Sequence, residues 1–256
     1  MPKGAIVAIG GGSIGRKGPA TTTPIDQAVI DLTGKKNPRA LFLPTAQRDP
    51  EDYIQAFVTQ YQKLGCQTDT LYLYDKMPSR SQIDNFLEEA DLIYVGGGNA
   101  LRMLNRWRQL GIDHLLCQAH ARGTVLAGIS AGAICWFTAG LTDCWHLDHN
   151  PATALVAKGL NLIPGLCNPH YHTETWRPDR VKQVLQKRPM ISLGIDDNAA
   201  LVVEDQEFSI LTTQSEAWAY RTFWRQGHYY EERLPTRGHI NSFDATLLVQ
   251  YSENGI

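Results

Sequence analysis

Apolar and polar positions follow two rhythms along this chain, and the change of rhythm divides it. In the first two-thirds, short unbroken apolar runs are separated by longer stretches with helical spacing. Residues 5–9 (AIVAI), 40–43 (ALFL), 70–74 (TLYLY), 91–95 (DLIYV) and 124–128 (TVLAG) read as five strands. Between them, residues 50–64 place Ile54, Phe57, Val58, Tyr61 and Leu64 on one helical face. Residues 81–90 do the same with Ile83, Phe86 and Leu87, behind Ser81 as the expected cap, and residues 100–110 and 112–121 are helical too. Near-continuous apolar strands are what a sheet buried on both faces requires. The order strand, helix, strand therefore predicts a parallel sheet covered by helices on both sides.

Residues 136–166 are less regular and read as loops and short strands, and residues 181–186 as a short helix. After Met190 the texture changes to alternation, with turn signals at 196–198 and 204–206. That pattern predicts antiparallel strands added to the sheet edge. The expected architecture is a three-layer α/β domain over residues 1–256, mostly parallel, with antiparallel strands near the C-terminus. No repeat, low-complexity segment or interdomain linker interrupts it.

Composition narrows the partners. A net charge of −2 gives no electrostatic footprint for nucleic acid or an anionic membrane. No apolar stretch approaches the ~20 residues of a membrane helix. The first residues, MPKGAIVAIGGG, read as a first strand rather than a signal peptide. Five cysteines without a CxxC pair fit reduced thiols, and so a cytoplasmic location.

In such sheets, ligands bind beyond the carboxyl ends of the strands. Three strands end in unusual residues: GGGS after the first, GGGN after the fourth and GISAGA after the fifth. In the last, Gly128–Ile129–Ser130–Ala131–Gly132 fits G-x-S-x-G, the strand–turn–helix that exposes a nucleophilic serine. The N–H of Ala131 is then placed to hold an oxyanion, and the 96–98 glycines would supply a second donor. Gly10 to Gly15 formally fits G-x-G-x-x-G. However, the second strand ends in Leu43, Pro44 and Thr45 rather than an acidic residue, so this loop reads as lining the site and not as binding a nucleotide.

A serine needs a base. His170, stiffened by Pro169 in LCNPHYH, is the leading choice, and His172 is next, though strand alternation would turn it away. His114 and His120 fall on a helix remote from any strand end and read as surface residues, and His228 and His239 have no polar cluster around them. His146 and His149 flank Asp148, a ligand set too thin for a metal site. An acid to orient the base could be Asp196 or Asp197, in a turn downstream, or Asp143, soon after the serine; local sequence does not choose among them.

With those residues in hand, the chain resembles the peptidase E and cyanophycinase family of serine peptidases. The resemblance rests on VGGGN (95–99), GISAGA (128–133), NPHY (168–171) and GIDDNA (194–199), in that order across most of the chain. It implies a class I glutamine amidotransferase-like fold, with Ser130 as nucleophile, His170 as base and Asp197 as the favoured acid. It also implies an oxyanion hole of Gly98 and Ala131, with Gly97 and Asn99 beside the substrate. Family members often carry a glutamate where Asp197 stands, and an acid near Asp143 is the family's other proposed third member. An aspartyl substrate would need a cation; Arg177 and Arg180 follow the base, and Arg177 is the better placed by analogy.

The implied activity is hydrolysis of small peptides, N-terminal aspartyl dipeptides among them, through an acyl-enzyme and without metal or organic cofactor. An esterase or amidase with the same triad, and a non-catalytic peptide- or small-molecule-binding module, are the alternatives. A small peptide is the expected partner, with no nucleic acid and no membrane; a homodimer stays open.

Overall fold

The computed structural model describes residues 2–142, 155–188 and 190–243. Five strands form the parallel part of the main sheet: β1 (Ile6–Ile9), β2 (Arg39–Leu43), β3 (Gln67–Thr70), β4 (Leu92–Val95) and β5 (Val125–Ile129). They lie in the order β1-β5-β4-β2-β3, each parallel to its neighbour. On the free side of β1, three antiparallel strands extend the sheet: β10 (Ala199–Glu204), β11 (Glu207–Thr212) and β14 (Arg237–His239).

Alternation along the parallel strands sorts the core into two faces. Val7, Ile9, Phe42, Tyr94 and Ala127 point to α1 (Thr23–Asp31) and α2 (Glu51–Lys63), where Phe42, Phe57, Tyr61 and Tyr94 pack ring on ring. Ile6, Leu41, Leu43, Ile93 and Leu126 point the other way, to α3 (Arg80–Glu89), α4 (Ala100–Leu110) and α5 (Ile112–Ala121). The helices close both faces because the strands are apolar on both, which is the expected three-layer α/β arrangement.

Several elements differ from the sequence reading. The third strand is Gln67–Thr70, not residues 70–74. Leu71 and Leu73 are fully buried, but the N–H groups of Leu73 and Tyr74 are satisfied by the Asp49 carboxylate instead of a neighbouring strand. Leu71 N–H still bonds Phe42 O of β2 at 2.9 Å, but beyond it the apolar run reports burial and not pairing. Helix α3 is capped by Ser79, not Ser81: Ser79 and Gln82 form a reciprocal capping box. Helix α1, with Pro24 in its first turn, was not anticipated.

The larger departure is a second, six-stranded sheet. It joins β6 (Phe137–Thr142), β7 (Leu155–Lys158), β8 (Ile163–Pro169), β9 (Ser192–Ile195), β12 (Ala219–Arg225) and β13 (His228–Arg233), in the order β13-β12-β9-β8-β6-β7. The strands after Met190 are thus shared between two sheets. Phe137, Ile163, Cys167 and Leu193 belong to the same core as Ile6 and Leu126 of the main sheet. Its other face is covered by α7 (Arg177–Lys187), whose Val181 and Leu185 pack with Ala139, Leu141 and Leu166.

Candidate active site

Strand β5 runs directly into α6 (Ala131–Ile134), and Ser130 is the junction, at φ 57° and ψ −114°. That left-handed φ is costly for a non-glycine residue and persists only where the surroundings over-determine it. They do so here. The N–H of Ser130 donates to Ile9 O at 2.9 Å, tying the turn to β1. A Cβ on Gly128 would lie 2.2 Å from Gly132 O, and one on Gly132 would lie 2.2 Å from Val95 O. The two flanking glycines let the turn fold onto itself and onto β4.

His170 follows the last residue of β8, also at positive φ (55°), and its N–H reaches Gly10 O at 3.3 Å. Its Nε2 lies 2.8 Å from Ser130 Oγ, and its Nδ1 lies 2.5 Å from Asp197 Oδ1. An ionised carboxylate only accepts, so Nδ1 carries the proton and Nε2 is left to accept from the serine hydroxyl. Asp197 sits in the turn between β9 and β10. Asn198 N–H donates to Gly11 O at 2.9 Å, bringing that turn against the end of β1. The approach requires glycine: a Cβ on Gly11 would fall 2.0 Å from Asp197 Oδ1 and 2.4 Å from His170 Nδ1.

Asp196 goes elsewhere. It is buried and accepts from Trp218 N–H, His172 N–H and His172 Nδ1–H at 3.0–3.1 Å. His172 therefore belongs to a separate pair, with Glu231 Oε1 3.5 Å from its other nitrogen. Asp143 lies outside the described residues, as do His146, Asp148 and His149.

The 96–98 glycines reach the same place from β4. Gly97 packs on the elbow, an added Cβ there lying 3.2 Å from Ser130 Cβ. Its N–H donates to Tyr53 Oη at 3.1 Å, and its C=O accepts from Gln47 Nε2 at 3.1 Å. Burial pushes the Tyr53 hydroxyl up to about 12, so it stays neutral in that contact. Gly98 has φ 138°, and a Cβ on it would lie 2.7 Å from Ala46 O. Asn99 caps α4, its Oδ1 accepting from Arg102 N–H at 2.8 Å, so this carbonyl serves the helix. Ala131 opens α6, where a backbone N–H has no carbonyl of its own helix to bond.

Arg177 does not reach the cleft. Its side chain is 3% exposed and is spent on Glu174 (2.5 and 3.0 Å), on Leu141 O (3.1 Å) and on the face of Trp176. The start of α7 turns it inward, which corrects its assignment to the substrate.

A cleft of about 340 Å³ opens over Ser130 and His170. Gly97, Gly98, Tyr53, Gln47 and the 12–17 loop form its walls, so the glycine loop after β1 does line the site. Its charged walls are Arg16 and Lys17; no carboxylate is among the described lining residues. The sequence reading missed Arg16, Lys17, Gln47 and Tyr53. The signal available was position alone, since they follow the carboxyl ends of β1 and β2. Among the described residues, no helix is long and apolar enough to cross a membrane, and no group of three or more His, Cys, Asp or Glu could hold a metal ion.

The family model that matches this chain is that of peptidase family S51, over residues 6–211. The uncharacterized peptidase YgaJ of Bacillus subtilis (strain 168) is 38% identical over 234 residues, covering 91% of this chain and 97% of that protein. Peptidase E of Streptomyces coelicolor is 28% identical over 144 residues, covering 53% of this chain and 57% of that protein. Among solved structures, a peptidase from an acI-B1 Actinobacterium superposes with a TM-score of 0.69 at 21% identity, covering 92% of this chain and 95% of that one. A putative peptidase E protein from Listeria monocytogenes EGD-e gives 0.61 at 20% identity, covering 82% and 98%.

Proposed function

The chain belongs to peptidase family S51 and is a serine peptidase; on that premise we propose that it is an exopeptidase of small peptides working through Ser130, His170 and Asp197. The observation that carries the reading is the unbroken line of hydrogen bonds from Asp197 through His170 to a serine on a strained elbow. His170 Nε2 takes the hydroxyl proton as Ser130 Oγ bonds to the scissile carbonyl carbon. The carbonyl electron pair moves onto oxygen, which the N–H groups of Gly98 and Ala131 hold. Collapse breaks the C–N bond, and His170 returns its proton to the leaving amine. Water, deprotonated by the same nitrogen, then releases the acyl group and restores Ser130. Asp197 keeps the imidazole in the tautomer both halves need.

The substrate in this reading is a short peptide with an acidic group, an N-terminal aspartyl dipeptide being the simplest. The cleft size lies at the small end of ligand sites, about 300–1,000 Å³, and its charged walls are cationic. Arg16 is already paired to Asp52, at 2.6 and 2.9 Å, so Lys17, exposed at the mouth, is the cation to meet a carboxylate. A cytoplasmic location belongs to the same reading and is supported by the free thiols of Cys66, Cys117, Cys135 and Cys167.

The test is labelling by a fluorophosphonate probe, read by intact mass. One adduct on wild type, none on Ser130→Ala and little on His170→Ala is the expected result. A folded wild type that takes no adduct would refute an activated serine and return the chain to a binding role.

A further inference from the structure

Oxyanion donors work only if they are aimed before the charge develops, and a glycine-rich loop does not aim itself. We infer that Gln47, fixed by Arg16 and Asp52, is the positioning residue that aims the Gly98 N–H at the reacting oxygen. This rests on the reading of Ser130 as nucleophile and Gly98 as an oxyanion donor.

The C=O of Gly97 and the N–H of Gly98 are two ends of one peptide unit. In a trans peptide they point in opposite directions, and the described chain has no cis bond. Gln47 Nε2 holds the Gly97 oxygen at 3.1 Å. Holding that end sets the direction of the other. The preceding peptide is held as well, since Gly97 N–H donates to the buried Tyr53 hydroxyl.

The side-chain amide of Gln47 could in principle turn over and present its oxygen to Gly97, which would repel. Arg16 prevents this. Its Nη1 donates to Gln47 Oε1 at 2.5 Å, and a guanidinium has no acceptor, so the amide oxygen must face Arg16 and the NH₂ must face Gly97. Arg16 is itself held by both oxygens of Asp52, in the first turn of α2, and by the face of Tyr53, 5.1 Å from the ring centre. The order is Asp52, Arg16, Gln47, then the Gly97–Gly98 peptide.

The backbone carrying Gln47 is equally constrained. Residues Thr45–Gln47 form a short 3₁₀ turn, followed by Arg48 and Asp49, both at positive φ (64° and 56°). Trp107 Nε1 bonds Thr45 Oγ1, Asn99 N–H bonds Ala46 O, and the Asp49 carboxylate is clamped by Leu73 and Tyr74. A strained turn held from several sides beside a cleft is the usual mark of a functional position.

The experiment measures kinact and KI for fluorophosphonate labelling of Ser130, whose phosphonyl oxygen must sit where the oxyanion would. Gln47→Met keeps the aliphatic stem and loses both polar ends. It should lower kinact about 10- to 100-fold, as expected for a displaced rather than deleted donor. KI should stay within about threefold, and the pH profile should keep its midpoint, because the lost contact acts in the transition state and leaves His170 untouched.

Arg16→Met should lower kinact by a smaller factor. In the double variant it should add nothing to Gln47→Met, because it acts through Gln47. Independent, multiplying effects would overturn the relay and assign Arg16 to the substrate. A Gln47→Met protein that labels as fast as wild type would overturn it outright. If Gln47→Met fails to fold by circular dichroism, Arg16→Met and Asp52→Asn read the same line from its accessible end, and wild-type kinact in both would overturn it. Absence of a Ser130 adduct on wild type is a separate result, which removes the catalytic reading and the relay with it.

Discussion

With Ser130, His170 and Asp197 acting as proposed, Gly11→Ala should abolish most activity without replacing any of the three. The added methyl would sit 2.0 Å from Asp197 Oδ1 and 2.4 Å from His170 Nδ1. Ordinary contact begins near 3.4 Å, so the carboxylate must retreat by about 1.4 Å and the ring by about 1.0 Å. The backbone has little room to share the shift. Gly11 O is bonded to Asn198 N–H, and Gly10 is bonded to Ala199 O through its N–H and to His170 N–H through its C=O. The side chains therefore give way, and the 2.5 Å hydrogen bond between them breaks. Misplacing a catalytic group by about 1 Å costs roughly 10²-fold, and losing the tautomer-setting acid roughly 10⁴-fold. The expected fall in kcat/KM is thus about 10²–10⁴, or about 2.7–5.4 kcal/mol of transition-state stabilisation. The cost to the fold should be about 1–3 kcal/mol of overpacking, which circular dichroism and a urea titration will separate from the catalytic loss. Labelling rates and hydrolysis of a chromogenic aspartyl substrate are the assays, with Asp197→Asn alongside. The double variant should be no worse than the poorer single one. Activity of Gly11→Ala within a few-fold of wild type would refute the argument that the His170–Asp197 contact governs the base.

Two further outcomes follow from the buried charges. Burial pushes the Asp26 carboxyl up to about 6, against opposing hydrogen bonds from Thr22, Gln60 and Tyr61. A folded value above the unfolded 3.8 means that the carboxyl's stabilising contribution is complete below about pH 4 and is lost as the pH rises through 6, by about 3 kcal/mol in all. Asp26→Asn should gain on wild type between pH 4.5 and 7.5 in urea unfolding; a gap independent of pH would contradict this. Arg177→Ala should cost about 2–4 kcal/mol of stability, by leaving Leu141 O and Glu174 without their partner, while KM for small peptides stays unchanged. A raised KM in a stable variant would return Arg177 to the substrate.

Much of this molecule was legible in one dimension because burial on both faces leaves a local trace. Four of the five parallel strands lie within one residue of their apolar runs, and α4 and α5 match their helical stretches residue for residue. The tight strand-to-helix turn at Ser130 was equally legible, since glycines at 128 and 132 encode a close packing of backbone on backbone that any larger residue would obstruct. The third strand was not, because pairing with β2 ends at Leu71, while Leu73 is just as buried and gives its N–H to the Asp49 carboxylate. Apolar character reports where a side chain goes, not what its N–H finds.

The remaining questions were matters of direction and distant pairing. Asp196 and Asp197 are chemically identical neighbours, yet one holds His172 and Trp218 while the other meets His170. The turn that separates them is set by pairing with β1, nearly 190 residues earlier. Arg177 looked placed for a substrate until helix α7 turned it toward Leu141. Gln47, unremarked in PTAQRD, became a contact of the Gly97 carbonyl only when β2 and β4 paired side by side. Local periodicity carries which faces are apolar and where the chain must turn tightly. Which polar groups then meet depends on contacts between residues far apart in the chain, whose free energies no short window contains.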